Sequence, residues 1–421
     1  MTYEQALEWV HGLKRLGAAP GLARMQKLMA ALGNPQQRLR FVHVAGTNGK
    51  GSVTTMVAAI AAHAGYRVGA NISPYVMDFT ERFQINAVNI APQRLAQVLD
   101  KVRTAAEKLA EAPIEFEAVT AAALLYFAEE ACDLVCLEAG IGGRLDASNI
   151  IENTLVACIT KVGLDHTEIL GPCLADIAAE KCGIIKPGCV VVCDAEQPPE
   201  AAEVIARMAA EKQCKLVVPK LDALERVRKT PLYINSIIYR GQPVEVPFMG
   251  RHQALNAAMA LEAAAVLAQK GYAISPAQMA EGVAAARIPA RIEVLQREPL
   301  VLLDGAHNVD SAKALAGVLE EAGLRHWTAV AGMLDGKDVQ GVMRLLARYV
   351  DVLYTVTPDS PRAVPAEGLA QQVKGLFGRV QACENVAEAL GRALLAEDKK
   401  VLIFGSFYLA QTAKKYFSDN S

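Results

Sequence analysis

The sequence predicts an α/β protein of two domains: a larger N-terminal one on a mostly parallel sheet with a small antiparallel flap, and a smaller, doubly wound C-terminal one. Three observations predict it. Short apolar, β-branched runs alternate with alanine-rich helical patterns, as parallel strands joined by crossover helices do. The alternation stops near residues 232–248 and restarts from Leu300. The chain's 421 residues also exceed the roughly 250–300 at which single cores stop growing.

The elements follow in order. MTYEQALEWVHGLKRLG has the spacing of an amphipathic helix with mixed charge, unlike a secretory leader, and no unbroken apolar run of about 20 residues occurs. The expected location is therefore the cytoplasm, with no membrane partner. FVHVAG is a buried strand followed by a helix from Val53 to Ala64. DLVCLEAG and TLVACIT are strands, LADIAAEKCGII is a helix, and CVVVCD and KLVVP are strands again. Between Leu232 and Phe248, LYINSIIYRGQPVEVPF predicts two strands around a glycine-containing turn, and a helix follows from about Gln253 to Ala268. The link falls near RIPARIEVLQREP, giving domains 1–288 and 289–421. In the second, LVLLDG, WTAVAGM, VLYTVT and KVLIFGS are strands, each followed by a helical pattern. A cleft between two such domains is the expected place for chemistry.

Composition narrows the classes of function. A formal net charge of −2 gives no global basic field for nucleic acid, so a charged ligand must be met by a local site. The nine cysteines are odd in number, mostly embedded in apolar runs and never spaced Cys-x-x-Cys. They predict buried, reduced thiols and neither a disulfide frame nor a metal site.

The segment Gly46-Thr47-Asn48-Gly49-Lys50-Gly51-Ser52 sits between a strand and a helix. A glycine-rich turn there points backbone NH groups and the helix's positive end at an anion. Lys50 adds a mobile charge and Ser52 a hydroxyl able to ligate Mg²⁺. It departs from the common phosphate loop: Val44 stands where a glycine would, and Gly51 separates Lys50 from Ser52. Ser73, Glu138 and His166 also fall after strands, where open α/β sheets bind ligands, which makes a joint site for a hard divalent ion plausible. Lys181, by pattern alone, reads as a solvated helix lysine. Asp304 and His307 follow a buried strand, and Arg291, at the link, could reach across to a transferring phosphoryl group once the domains close.

Nine segments in order resemble the folylpolyglutamate synthases of the wider Mur ligase superfamily: GTNGKGS (46–52), SPYVMDFTER (73–82), LEAGIGGRLDASN (137–149), GLDHTEILG (163–171), IAAEKCGIIKP (177–187), GRHQALNAAMA (250–260), PARIE (289–293), LDGAHN (303–308) and FGSFYLA (404–410). The resemblance implies a P-loop-type first domain and a Rossmann-like second one. It implies a monomer that joins L-glutamate to the carboxylate of tetrahydrofolate through an acyl phosphate, using ATP and two Mg²⁺ ions, and leaves open dihydropteroate as a further acceptor. Gly49, Lys50, Gly51 and Ser52 match the ATP phosphate loop, with Asn256, Arg291 and Asp304 as further ATP contacts. Ser52, Ser73, Glu138 and His166 match magnesium ligands. Lys181 matches a lysine carbamylated in this family (N6-carboxylysine), which would reverse its charge and help hold magnesium near the incoming amine. Lys50, Lys181, Arg291 and His307 are then the expected catalytic set. His307, Ser406 and Tyr408 would face glutamate or nucleotide, and the pteridine would rest near the 20–25 loop, Pro74, Phe116 and Asp146.

Tyr75, Ala87, Ala290 and Val309 depart from the family pattern at positions where histidine, glycine, glycine and proline are usual. Ala87 and Ala290 lose cheap access to positive φ, so an altered local backbone is expected there. Two other functions stay open on the sequence: a ligase acting on another carboxylate, such as a peptidoglycan precursor, and a nucleotide-dependent switch. The first fits the spacing after Lys50 less well, and the second leaves Lys181, Asp304 and His307 without work.

Overall fold

Phe41–Ala45 (β1), which leads into the glycine-rich segment, is buried at every position and lies in the middle of the larger sheet. The computed structural model describes residues 1–14, 21–230, 234–396 and 400–419. The larger sheet also contains Val68–Asn71 (β2), Gln84–Ile85 (β3), Val88–Asn89 (β4), Leu134–Glu138 (β5), Thr154–Ile159 (β6), Val190–Cys193 (β7) and Lys215–Val217 (β8). Their order is β4-β3-β2-β5-β1-β6-β7-β8. Pairing is parallel from β2 to β8, and β3 and β4 form an antiparallel hairpin at the edge. Because β1 is flanked by strands that come later on both sides, its carboxyl end is a topological switch point, where such sheets open a crevice.

Alternation of side chains along β1 splits the core. Val42 and Val44 face the helices Lys50–His63 and Arg251–Gln269, packing with Met56, Ile60 and Met259. Phe41 faces the other way, into a cluster with Met25 and Phe127 from two helices and Phe83 just before β3. The first crossover helix starts at Lys50, not Val53, so Gly51 and Ser52 lie in its first turn.

The flap has three strands, not two: Leu224–Thr230 (β9), Ile234–Tyr239 (β10) and Gln242–Val246 (β11), in the order β11-β10-β9. Charged residues dominate LERVRKT in β9, which hides its strand character from a hydrophobic pattern.

The second sheet comprises Glu293–Gln296 (β12), Leu300–Leu303 (β13), Trp327–Ala331 (β14), Val350–Thr355 (β15), Arg379–Ala382 (β16) and Lys400–Phe404 (β17), ordered β12-β13-β17-β14-β15-β16. The segment expected as a link thus supplies β12, an antiparallel edge strand on β13. Helices cover both faces, with Trp327 in one core and Leu303, Ile403 and Leu409 in the other.

Ala87 and Ala290 correct an expectation. Both adopt positive φ, 62° and 54°, so the backbone keeps the left-handed geometry and the alanines carry the strain. The nine cysteines are free thiols, eight of them buried and Cys173 exposed.

Candidate active site

A cavity of about 430 Å³ opens at the switch point and is closed on its far side by the second domain. From the larger domain come the 46–52 loop after β1, Ser73 and Pro74 after β2, Glu138 at the end of β5, Lys161, Asp165 and His166 after β6, and Lys181. The first turns of helix Arg251–Gln269 add His252, Gln253 and Asn256, and the second domain adds Arg291, Asp304, His307 and Phe407.

Local geometry explains the loop. Gly49 caps helix Lys50–His63 at φ 90°, and a Cβ there would lie 2.6 Å from the Asn256 side-chain oxygen, so both backbone and space demand glycine. Lys50 Nζ donates to the Thr47 carbonyl at 3.2 Å, and burial pulls its pKa down against the opposing pull of Glu138. Glu138 is itself buried; one carboxylate oxygen accepts from the Ser73 backbone NH at 2.8 Å. Burial raises its pKa despite Lys50 and Arg291, so the carboxylate lacks a full counter-charge, which a divalent cation would supply. Ser52 is buried in the same cavity wall and His166 lines it, with Nε2 3.9 Å from Asp165 Oδ1 and Nδ1 3.8 Å from Glu168. Among the described residues no three His, Cys, Asp or Glu side chains form a metal cluster by themselves. The oxygen-rich set Ser52, Ser73 and Glu138 fits an ion that also binds phosphate oxygens.

Lys181 corrects the pattern-based reading. It is 3% exposed, and its Nζ donates to the Gly46 carbonyl at 2.8 Å. Burial, and after it Lys50, brings its pKa down to about 7.

On the facing side, Asp304 accepts from the backbone NH groups of Ile292 and Ala306, both at 2.8 Å, tying β12 to the turn after β13; burial raises its pKa to about 6. The Arg291 guanidinium lies 4.8 Å from the Phe407 ring centroid. His307 Nδ1 donates to the Gly305 carbonyl at 2.8 Å, leaving Nε2 4.0 Å from Asp165; burial lowers its pKa to about 4.

Residues 44–264 match the Mur ligase middle domain and residues 290–407 the Mur ligase glutamate ligase domain. The dihydrofolate synthase/folylpolyglutamate synthase of Bacillus subtilis is 36% identical over 383 residues, which cover 87% of this chain and 88% of that one. The chain belongs to the folylpolyglutamate synthase family of Mur ligases. Its fold agrees: a folylpolyglutamate synthase of Mycobacterium tuberculosis, solved with ADP and AMPPCP, superposes with a TM-score of 0.89 at 30% identity over 99% of this chain and 98% of that one. An FPGS–AMPPCP–folate complex does so at 0.88 and 31% over 99% of each.

Four expected residues of this synthase-family site stand apart from the cavity wall: Phe116, Asp146, Ser406 and Tyr408. Asp146 spends both carboxylate oxygens on Gly140, Ile141 and Ser148, so it shapes the 140–148 loop. Phe116 packs against Gly140, where a Cβ would sit 2.5 Å from its ring. Ser406 Oγ accepts from Leu409 NH at 3.1 Å, and Tyr408 is partly exposed. The 20–25 stretch is not a loop throughout: Pro20 lies outside the described residues, Ala23–Met25 open the helix Ala23–Ala31, and the Arg24 guanidinium donates to Glu117 at 2.6 and 2.9 Å. Asp165 and Lys337, which no motif spacing singles out, meet across the domains at 2.7 Å; the signal for Asp165 was its place beside His166 in GLDHTEILG.

Proposed function

We propose that this cleft is the active site of an ATP-dependent ligase that adds L-glutamate to the carboxylate of tetrahydrofolate, with dihydropteroate as a further acceptor. The observation that carries the reading is the opposition, across one cavity, of Lys50 and Glu138 on the first domain and Arg291, Asp304 and His307 on the second. The enzyme is read as a cytoplasmic monomer of two domains divided near residue 288; among the described residues no helix is long and apolar enough to cross a membrane.

A carboxylate is a poor acceptor for an amine. Transfer of the γ-phosphate to it breaks the bond to ADP and forms an acyl phosphate; the glutamate amine then attacks the acyl carbon and phosphate leaves. Such transfer needs positioning and charge neutralisation more than covalent help. Lys50 and the amides of Gly49, Gly51 and Ser52 hold the phosphates. Arg291 adds positive charge from the facing domain, and Asn256 and Asp304 fix the nucleotide. Ser52, Ser73, Glu138 and His166 would hold Mg²⁺, which would supply further charge neutralisation. Lys181, neutral enough to take up CO₂, becomes a carbamate anion. The second domain keeps water from the acyl phosphate.

The experiment is ADP release with Mg²⁺ and L-glutamate, run in parallel with tetrahydrofolate, dihydropteroate and no acceptor, with product masses recorded. ADP with a one-glutamate mass gain on tetrahydrofolate supports the ligase, and the same gain on dihydropteroate adds the second acceptor. ADP release indifferent to any pterin overturns the reading.

A further inference from the structure

The segment after β2 carries a charge that the proposed reaction leaves unused. Arg82 ends the short helix Phe79–Arg82. The two acids nearest it in sequence are already spent: Asp78 accepts from the Thr80 NH at 2.8 Å, and Glu81 accepts from the NH groups of Val76, Met77 and Asp78 at 2.8, 2.9 and 3.1 Å. The guanidinium carbon lies 5.5 Å from the ring centroids of both Tyr75 and Phe79. Its Nε is shut off from solvent with no hydrogen-bond partner, and among the described residues no carboxylate forms an ion pair with this side chain. Arginine cannot shed its charge to escape that situation. Two touching rings therefore flank a planar, permanently charged fork that makes no hydrogen bond to the protein among the described residues.

The location is informative. Val76 inserts into the second domain's core beside Leu303, Ile403 and Leu409, and Gln411 Nε2 donates to the Met77 carbonyl at 3.1 Å. The same segment begins with Ser73 and Pro74 in the cavity wall. Arg82 thus stands where the domains meet, and of the carboxylates around it Glu115 attracts its charge most and Glu138, in the cavity wall, less. A half-buried arginine fork is matched by a carboxylate taken bidentately.

We propose that Arg82 is a positioning residue that binds a substrate carboxylate not itself being activated, either the second carboxylate of the folate tail or one belonging to the incoming glutamate. This rests on the ligase reading above, which the wild-type enzyme tests separately in the same assay. Arg82→Met keeps much of the stem against Tyr75 and Phe79 while removing the fork. Arg82→Lys keeps the charge and guards against a variant that fails to fold. The expected result is a KM raised about tenfold or more in Arg82→Met for one carboxylate substrate, with the KM for ATP unchanged and part of the loss recovered in Arg82→Lys. A rise for L-glutamate alone identifies the incoming amino acid, and a rise for tetrahydrofolate alone identifies the acceptor tail. The proposal is overturned if both KM values stay within twofold of wild type, if all three rise together, or if only kcat falls. Should neither variant fold, a crystal of the wild-type enzyme with an ATP analogue, L-glutamate and tetrahydrofolate decides: a carboxylate about 3 Å from the guanidinium supports the role, and its absence there removes it.

Discussion

Lys181 and Lys50 are two lysines desolvated by one cavity, and the proposed function asks different work of each. Both lose solvation, but Lys181 is the more enclosed, and its pKa near 7 leaves a large share of the amine neutral at physiological pH. Only the neutral amine can attack CO₂. On the proposed reading, carbamate formation is therefore expected to fail as pH drops below about 7 and to improve above it. Enzyme stripped of CO₂ is expected to regain turnover on addition of bicarbonate, faster at pH 8 than at pH 6, whereas Lys181→Arg stays inactive by on the order of 100-fold. Recovery at the same rate at both pH values would count against the carbamate. Lys50 must remain a cation despite its burial. Its buried charge costs stability, so Lys50→Ala should keep or raise the melting temperature while ADP formation falls on the order of 100- to 1,000-fold. Retained turnover would remove Lys50 from phosphate binding.

At the scale of elements, local backbone geometry overrides the residue's own preference where the fold needs a turn. Asn86 and Ala87 connect β3 to β4 with φ of 50° and 62°, the two-residue hairpin turn that favours Asn-Gly. Ala87 is exposed, so it meets little but backbone strain. Ala87→Gly is expected to stabilise the protein by about 0.5–1 kcal/mol, read as a higher urea midpoint, with activity unchanged. A lower midpoint would mean that the entropy of glycine outweighs the relieved strain. Elements also hide from hydrophobic periodicity when they lie at edges: β9, β12 and β16 are short or rich in polar residues, since one face or one side of each needs no burial.

At the scale of the whole molecule, Asp165 joins the two domains. Lys337 Nζ donates to it at 2.7 Å, and Asn308 Nδ2 at 3.3 Å, both from the second domain. Burial alone would raise the Asp165 pKa, but Lys337 overcomes it and holds the carboxyl well below the usual range. A lowered folded-state pKa gives stability that is present above the unfolded value of about 4 and is lost as pH falls through the folded one. The contact is therefore intact at neutral pH and released only in acid. Lys337→Met leaves the Asp165 charge without its cation and is expected to weaken domain contact by on the order of 1–3 kcal/mol. Small-angle scattering should then show a larger radius of gyration at pH 7, with reduced kcat/KM. An unchanged radius would mean that apolar contacts such as Val76 in the second core suffice to hold the domains.

The sequence by itself determined the alternation of strands and helices, the strand-to-helix position of the glycine-rich loop, the flap, and the order of motifs that carries the family resemblance. These are local: apolar period, glycine placement and short spacing set them along the chain. It also named part of the cavity wall, the glycine-rich loop with Ser73, Glu138 and His166, because ligand-binding side chains follow the carboxyl ends of parallel strands. Only the tertiary structure decided which of those side chains meet. It buried Lys181 against Gly46, turned both oxygens of Asp146 onto its own loop, paired Asp165 with Lys337 across 172 positions of sequence, and set the Arg82 guanidinium beside two touching rings. Desolvation and partnership depend on what packs from distant parts of the chain, and a charge's function follows from those two quantities.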